Sequence, residues 1–319
     1  MKYRLLGRTG LNVSCVSLGT GGPSRLGQWT HQDERKSHRV VHRALELGVN
    51  LFDTAAAYSD SEAILGRALR GVARDRYLIA TKFTLTTQGD AGGPVISPNK
   101  MIESCEQSLQ RLNIETIDVF QFHGALPENY RECVEQLFPT AQKLQQQGKV
   151  RFLGVTEYFY KDPAHQMLEA ALTDDIWDTI MVKYGILNMI AAAKVLPMAK
   201  ERNVGVLNMS AVRAKLSRPK ELEGIIARWK AAGLIDANTL PDQDPLGFLV
   251  HGGVPSVVAA GYKFGIAPTA ISTLLIGTGD VSHLEENVAT LLGPPLPDED
   301  MQRLYATFGT IAETESDPE

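Results

Sequence analysis

Asp53, Tyr58, Lys82 and His123 are an acid, a phenol, an amine and an imidazole, each at the end of a short apolar run or just beyond one. Asp53 closes the run 49–53, Tyr58 follows it by five residues, Lys82 closes 77–82, and His123 comes directly after 117–122. Together they suit carbonyl reduction, where hydride arriving at carbon leaves charge on oxygen that has to be protonated. A phenol is a good donor once its ordinary pKa of about 10 is lowered, and a neighbouring ammonium lowers it by favouring the phenolate. Lys82 can supply that ammonium, Asp53 can pair with it and fix its head, and His123 can hydrogen-bond the substrate oxygen. In alcohol oxidation the same groups run in reverse. Singly, each has a plainer reading: a chain-turning acid, a loop aromatic, a strand-end cation, a packed histidine. Their coincidence carries the reading, and it needs an architecture that gathers strand ends at one place.

The runs Ser14–Gly19, Val49–Asp53, Tyr77–Lys82, Ile117–Phe122, Val150–Val155, Thr179–Tyr184, Gly205–Met209 and Ser272–Ile276 read as eight strands. Helical patterns at 34–47, 61–70, 99–112, 130–147, 162–172, 191–202, 255–264 and 282–291 alternate with them. Gly48 and Gly148 stand where a left-handed residue ends a helix. Eight βα units predict a single α/β domain over 1–319, a (β/α)8 TIM barrel whose strand ends meet at one mouth. Gly19-Thr20-Gly21-Gly22 does not match the glycine fingerprint of a doubly wound dinucleotide-binding sheet. Residues 1–13 predict a β-hairpin turning at Arg8-Thr9-Gly10 and closing the barrel floor. The stretch 211–255 is too long for one crossover; with its own helix near 219–232 it is an insertion after the seventh strand, placed to fold over a ligand. The acidic tail 313–319 is expected to fray.

With 32 basic and 37 acidic residues, net charge −5, the 319-residue chain offers no electrostatic case for nucleic acid or an anionic membrane. Cys15, Cys105 and Cys133 are too few for a disulfide framework. No leader-like or membrane-spanning run appears, so a cytoplasmic protein is expected, a monomer or weak homo-oligomer acting on a small carbonyl or alcohol. The seven histidines form no recognisable metal-ligand pattern. A hydrolase with paired carboxylates would have to use Asp53 and Glu157, which both have lysines nearby that keep them ionised.

Three stretches make the sequence recognisable. Asn50-Leu51-Phe52-Asp53-Thr54-Ala55-Ala56-Ala57-Tyr58 continues into Ser61-Glu62 and Leu65-Gly66; Ala80-Thr81-Lys82 holds the amine; Ile117-Asp118-Val119-Phe120-Gln121-Phe122-His123 ends in the imidazole. These, along nearly the whole chain, resemble the aldo-keto reductase superfamily, with Asp53, Tyr58, Lys82 and His123 as its catalytic four. The opening Leu6-Gly7-Arg8-Thr9-Gly10-Leu11 is similar to bacterial members, and there is likeness to the branch of the potassium-channel β-subunits. The resemblance implies NADP(H) or NAD(H) extended across the barrel mouth. Contacts would come from Gly19, Thr20, Gly21 and Asp53 at one side; Thr156, Glu157, Lys183, Met209 and Ser210 around the nicotinamide; and Gly277, Thr278, His283, Glu286 and Asn287 at the adenosine half. The segment Gly277-Thr278-Gly279-Asp280 leads into a helix whose first amides can bind phosphate.

The departures from the family pattern are informative. Thr156-Glu157 stands for the usual Ser-Asn, Lys183 for glutamine and Met209 for a stacking aromatic; an ion pair between Glu157 and Lys183 is an expectation. Gly277 and His283 replace the lysine and arginine of NADP-specific members, which leaves the coenzyme preference open. Arg213 and Lys215 could hold the pyrophosphate or equally be solvated loop charges. Trp29 and Tyr158, with Tyr58 and His123, are candidate substrate-pocket walls, though the two aromatics suit ordinary packing as well. The altered nicotinamide shell keeps an alternative in play: a nicotinamide-binding regulatory or scaffold protein with little turnover.

Overall fold

A computed structural model describes residues 1–22, 24–30, 32–89 and 92–314. It opens with a hairpin, β1 (Tyr3–Leu5) and β2 (Asn12–Ser14). The barrel strands follow: β3 (Val16–Gly19), β4 (Leu51–Asp53), β5 (Leu78–Thr84), β6 (Ile117–Ala125), β7 (Val150–Glu157), β8 (Thr179–Lys183), β9 (Gly205–Met209) and β10 (Thr273–Ile276). They close in the order β10-β3-β4-β5-β6-β7-β8-β9, every neighbouring pair parallel. The helices of the described residues are α1 (Glu34–Glu46), α2 (Ser61–Ala68), α3 (Pro98–Leu112), α4 (Pro127–Gln146), α5 (Gln166–Asp174), α6 (Val195–Glu201), α7 (Arg213–Ser217), α8 (Pro219–Ala231), α9 (Val257–Ile266), α10 (Val281–Leu292) and α11 (Asp298–Phe308). The (β/α)8 barrel with an N-terminal hairpin is therefore the architecture the alternation predicted.

Strand periodicity explains the interior. Leu51, Ala80, Val119, Met181 and Leu207 point into the barrel and form one apolar cluster with Leu6, Leu11 and Val13 of the hairpin. The hairpin thus plugs the floor. Its turn is tied by Leu6 N to Leu11 O at 2.8 Å and Thr9 Oγ1 to Leu6 O at 2.6 Å. Gly7 has φ +52°, and a Cβ there would lie 2.2 Å from the Gly205 nitrogen, so only glycine lets the turn press against the start of β9. A second cluster fills the layer between strands and helices, with Phe83, Phe120, Phe122 and Trp177 in mutual ring contact.

Three details differ from the sequence reading. Ser14 belongs to the hairpin, because its hydroxyl bonds the Val16 carbonyl at 2.6 Å and breaks the chain direction before the barrel strand begins. Helix α11 lay outside the predicted helices, although Asp298, Glu299 and Asp300 favour a helix start and Leu304 and Phe308 share one buried face. The tail, expected to fray from residue 313, is anchored there: the Glu313 amide bonds Leu187 O at 2.8 Å and its carboxylate pairs with buried Lys215 at 3.0 Å. Residues 315–319 lie outside the described residues. Glu313 also lies 3.9 Å from Arg228, so the chain end clamps α7 and α8 of the 211–255 segment.

Lys215 and Glu313 expose only 7% and 5% of their side chains, so removing one strands a buried charge. Glu313→Gln is expected to cost about 3 kcal/mol or more in chemical denaturation, and Lys215→Met/Glu313→Gln to recover most of it. Equal losses in the single and double variants would show that the charge pairing is not what holds the tail.

Candidate active site

The alternation that keeps the floor apolar makes the mouth polar. On β4, β5 and β6 the inward residues above Leu51, Ala80 and Val119 are Asp53, Lys82, Gln121 and His123. Asp53 and Lys82 are on adjacent parallel strands and 3% and 1% exposed. The lysine reaches both carboxylate oxygens, at 2.8 and 2.7 Å, and donates a third bond to the Thr54 carbonyl at 2.7 Å. Gln121 Nε2 donates to Asp53 Oδ1 at 3.3 Å.

Tyr58 reaches this group from the loop between β4 and α2. The loop is braced by Tyr58 N to Ala55 O at 3.0 Å, Ser61 N to Tyr58 O at 3.1 Å, and Ser61 Oγ to Thr20 O at 3.0 Å. Behind it, buried Glu62 accepts from Thr81 Oγ1 at 2.6 Å and from Arg111 Nε at 2.7 Å. A Cβ on Gly66 would stand 2.4 Å from the Arg111 carbonyl. The Ser-Glu and Leu-Gly elements near Tyr58 are therefore the fixings that set α2 against β5 and α3. The Tyr58 ring has Lys82 Nζ 5.0 Å from its centroid and meets His123 edge-on at 5.6 Å, with Tyr58 Oη 3.5 Å from His123 Nε2. A Cβ on Gly21 would come within 2.6 Å of that ring, so glycine there makes room for the tyrosine.

Electrostatics divide the roles. Burial raises Asp53 above the ordinary carboxylate value, and the Lys82 charge opposes that rise. Burial also disfavours the Lys82 ammonium, but Asp53 and Tyr58 outweigh it and hold the lysine above its ordinary value. Lys82 is a permanent cation in reach of a phenol. His123 is pushed down to about 3, first by burial and then by the Lys82 charge, and so is a neutral hydrogen-bonding group.

Beside these groups runs a cleft of about 640 Å³. Of the sequence-predicted residues, Gly19, Gly21, Asp53, Tyr58, Met209, Ser210, Arg213, Gly277, Thr278, His283, Glu286 and Asn287 line it. Residues not picked out beforehand, notably Met181, Ala211, Val212 and Ser217 with Val258 and Tyr262 on α9, line it too. The 211–255 segment thus covers part of the cleft.

Other predicted contacts are placed elsewhere. Lys215 pairs with Glu313 and is not among the residues lining the cleft. Glu157 is buried and held by His165 Nδ1 at 2.6 Å and by the backbone amide of Lys183 at 2.7 Å, while the Lys183 ammonium lies 4.4 Å from the Phe159 ring centroid and 5.2 Å from that of Tyr160. The expected Glu157–Lys183 link therefore runs through the backbone amide, and burial raises the carboxyl against the pull of His165. Thr156 Oγ1 accepts from Gly124 N at 2.8 Å, and the Thr20 side chain is buried. Trp29 is 48% exposed with the Arg25 guanidinium 4.7 Å above it, and Tyr158 rests edge-on against Tyr160. Gln121 and His165 were missed; Gln121 was findable as the residue two before His123 on the same strand face, whereas nothing in the sequence ties His165 to Glu157 across a turn.

The fold and site define a class of oxidoreductase, and comparison with known proteins agrees. The family model described as Aldo/keto reductase family matches residues 17–307, and the chain belongs to that family. Members are NAD(P)-dependent oxidoreductases, and so is this protein. L-galactose dehydrogenase of Arabidopsis thaliana is 28% identical over 308 residues, spanning 91% of this chain and 88% of that protein. The NADH-specific methylglyoxal reductase of Escherichia coli is 28% identical over 254 residues, spanning 75% and 74%. Among solved structures, the holo form of aldo-keto reductase AKR11C1 from Bacillus halodurans has a TM-score of 0.75 and 26% identity, covering 99% of this chain and 100% of that one. The cleft fits a nicotinamide dinucleotide: a polar catalytic group stands at one end, apolar Met181 and Met209 in its wall, and hydrogen-bonding side chains at the far end.

His123 supplies a pH test. Its folded pKa of about 3 lies below the unfolded value of 6.5, so its contribution to stability is full above 6.5 and is lost as pH falls toward 3. Between about pH 7 and about pH 4.5, His123→Asn should lose less stability than the wild type in urea denaturation. Equal acid losses would mean that the folded protein carries a protonated imidazole.

Proposed function

We propose that this protein catalyses reversible hydride exchange between a nicotinamide coenzyme and an aldehyde, ketone, sugar or alcohol, with Tyr58 as general acid and base. The observation that carries the reading is the Asp53–Lys82–Tyr58–His123 arrangement at the edge of the cleft. When bound, the coenzyme supplies or accepts the hydride. Lys82, kept charged by Asp53, stabilises the phenolate left when Tyr58 Oη gives its proton to the developing alkoxide. Neutral His123, 3.5 Å from Tyr58 Oη, hydrogen-bonds the substrate oxygen and sets the carbonyl against the phenol. In oxidation Tyr58 receives the proton instead. Gln121 steadies Asp53 and is a positioning residue. Arg213, with its guanidinium 5.0 Å from the Tyr160 ring centroid, is proposed to meet the coenzyme's pyrophosphate from the covering segment.

The direct test is Tyr58→Phe, which keeps the ring and removes the proton. Aldehyde-dependent oxidation of reduced coenzyme should fall by about 100-fold or more, with coenzyme affinity by fluorescence titration nearly unchanged. Retained turnover would reject Tyr58 as the acid. Coenzyme binding by the wild type with no turnover over a broad aldehyde panel would instead favour the regulatory reading.

A further inference from the structure

The loop between β3 and α1 is tied to the three residues that follow Tyr58. Arg25 Nη1 donates to Ser59 Oγ at 2.9 Å, the Asp60 amide donates to Gln28 Oε1 at 3.0 Å, and Gln28 Nε2 donates to Ser61 Oγ at 2.8 Å. Gly21 of the same loop abuts the Tyr58 ring, and Gly21, Gly22 and Ser24 line the cleft. Arg25 therefore stands at the rim of the mouth, beside a residue of the cleft wall and bonded to the neighbour of the proposed acid.

Arg25 lacks what nearby arginines have. Arg67 on α2 pairs with Glu34 at 2.6 Å and Arg111 on α3 with Glu62 at 2.7 Å. Among the described residues no carboxylate pairs with Arg25; its guanidinium meets the Ser59 hydroxyl and the Trp29 ring, whose centroid is 4.7 Å away. An aromatic face steadies a guanidinium without cancelling its charge. Arg25 Nε and the Ser24 hydroxyl are shut off from water and have no hydrogen-bond partner, and anion oxygens are the acceptors such donors take. Bracing the loop does not call for this charge. A neutral amide would serve Ser59, whereas a guanidinium partly withdrawn from water with no counter-charge costs desolvation free energy. Trp29, 48% exposed, adds bare apolar surface beside it.

We infer that the carbonyl substrate carries an anionic group, a carboxylate or a phosphate, and that Arg25 receives it while Tyr58 addresses the carbonyl. The planar fork of an arginine matches paired oxygens of either anion. The inference rests on the reading of Tyr58 as the proton donor, and the test keeps the two apart.

Steady-state rates with NADH and NADPH would be measured on two matched pairs of aldehydes, succinate semialdehyde against butanal and glycolaldehyde phosphate against glycolaldehyde. The wild type, Arg25→Gln and Arg25→Lys would be compared. The wild type should prefer the charged member of at least one pair by about tenfold or more in kcat/KM, and which pair shows it tells carboxylate from phosphate. Added salt should narrow the preference. Arg25→Gln should lower the charged-to-neutral ratio by about tenfold, through KM rather than kcat, and Arg25→Lys should keep part of it. A wild type that turns over the neutral members equally well or better overturns the inference and leaves the hydride-transfer reading intact. A loss in Arg25→Gln shared alike by charged and neutral aldehydes makes Arg25 a brace for the loop and overturns its assignment, as does an unchanged ratio. No turnover of any of the four by the wild type rejects the hydride-transfer reading and this inference with it.

Discussion

Burying a lysine and an aspartate together at the mouth of a barrel is the constraint from which the rest of the site follows. Either charge alone would be driven toward its neutral form by the loss of water. Held as a pair, with the Thr54 carbonyl also accepting from the ammonium and Gln121 supporting the carboxylate, Lys82 keeps its charge where a phenol can use it. Such a pair is poor evidence of stability, because an apolar substitute of the same volume often folds as well. Its presence points to chemistry.

The barrel supplies the geometry at little local cost. Strands β4, β5 and β6 carry apolar inward residues at their lower ends and ionisable or amide residues at their upper ends, so one set of backbone registers packs the floor and assembles the mouth. The hairpin seals the bottom with Leu6, Leu11 and Val13, leaving the upper opening as the route to the catalytic group. Tyr58 comes from a loop stiffened by Ser61, Glu62 and Gly66, and motif residues without chemistry of their own thereby fix a reacting oxygen.

The cleft is finished by parts distant in sequence. The segment after β9 lays Ala211, Val212, Arg213 and Ser217 along it, and the chain end holds that segment down through Glu313. A charge pair 7% and 5% exposed, about 100 residues apart in sequence, couples Glu313 to the segment along the cleft. At the start of α10, Asp280 places a carboxylate on the helix amides that would otherwise be open to an anion. The local cap outweighs the generic dipole because a full carboxylate charge at hydrogen-bond distance exceeds the partial charge of a helix end.

By itself, the sequence determined the eight βα units, the hairpin and the four chemical groups, because strand alternation and the clustering of polar residues at strand ends are properties of local order along the chain. It did not determine whom the ambiguous charges meet. Lys215 looked equally able to hold a phosphate or face water; it is buried against Glu313, which reaches it only once α11 has carried the chain back across the barrel. Glu157 looked like a partner for the Lys183 ammonium, yet it took the Lys183 amide and His165, a choice set by the turn between β7 and α5. Buried charges pair with whatever the folded chain brings within about 3 Å, and tertiary structure alone decides that distance.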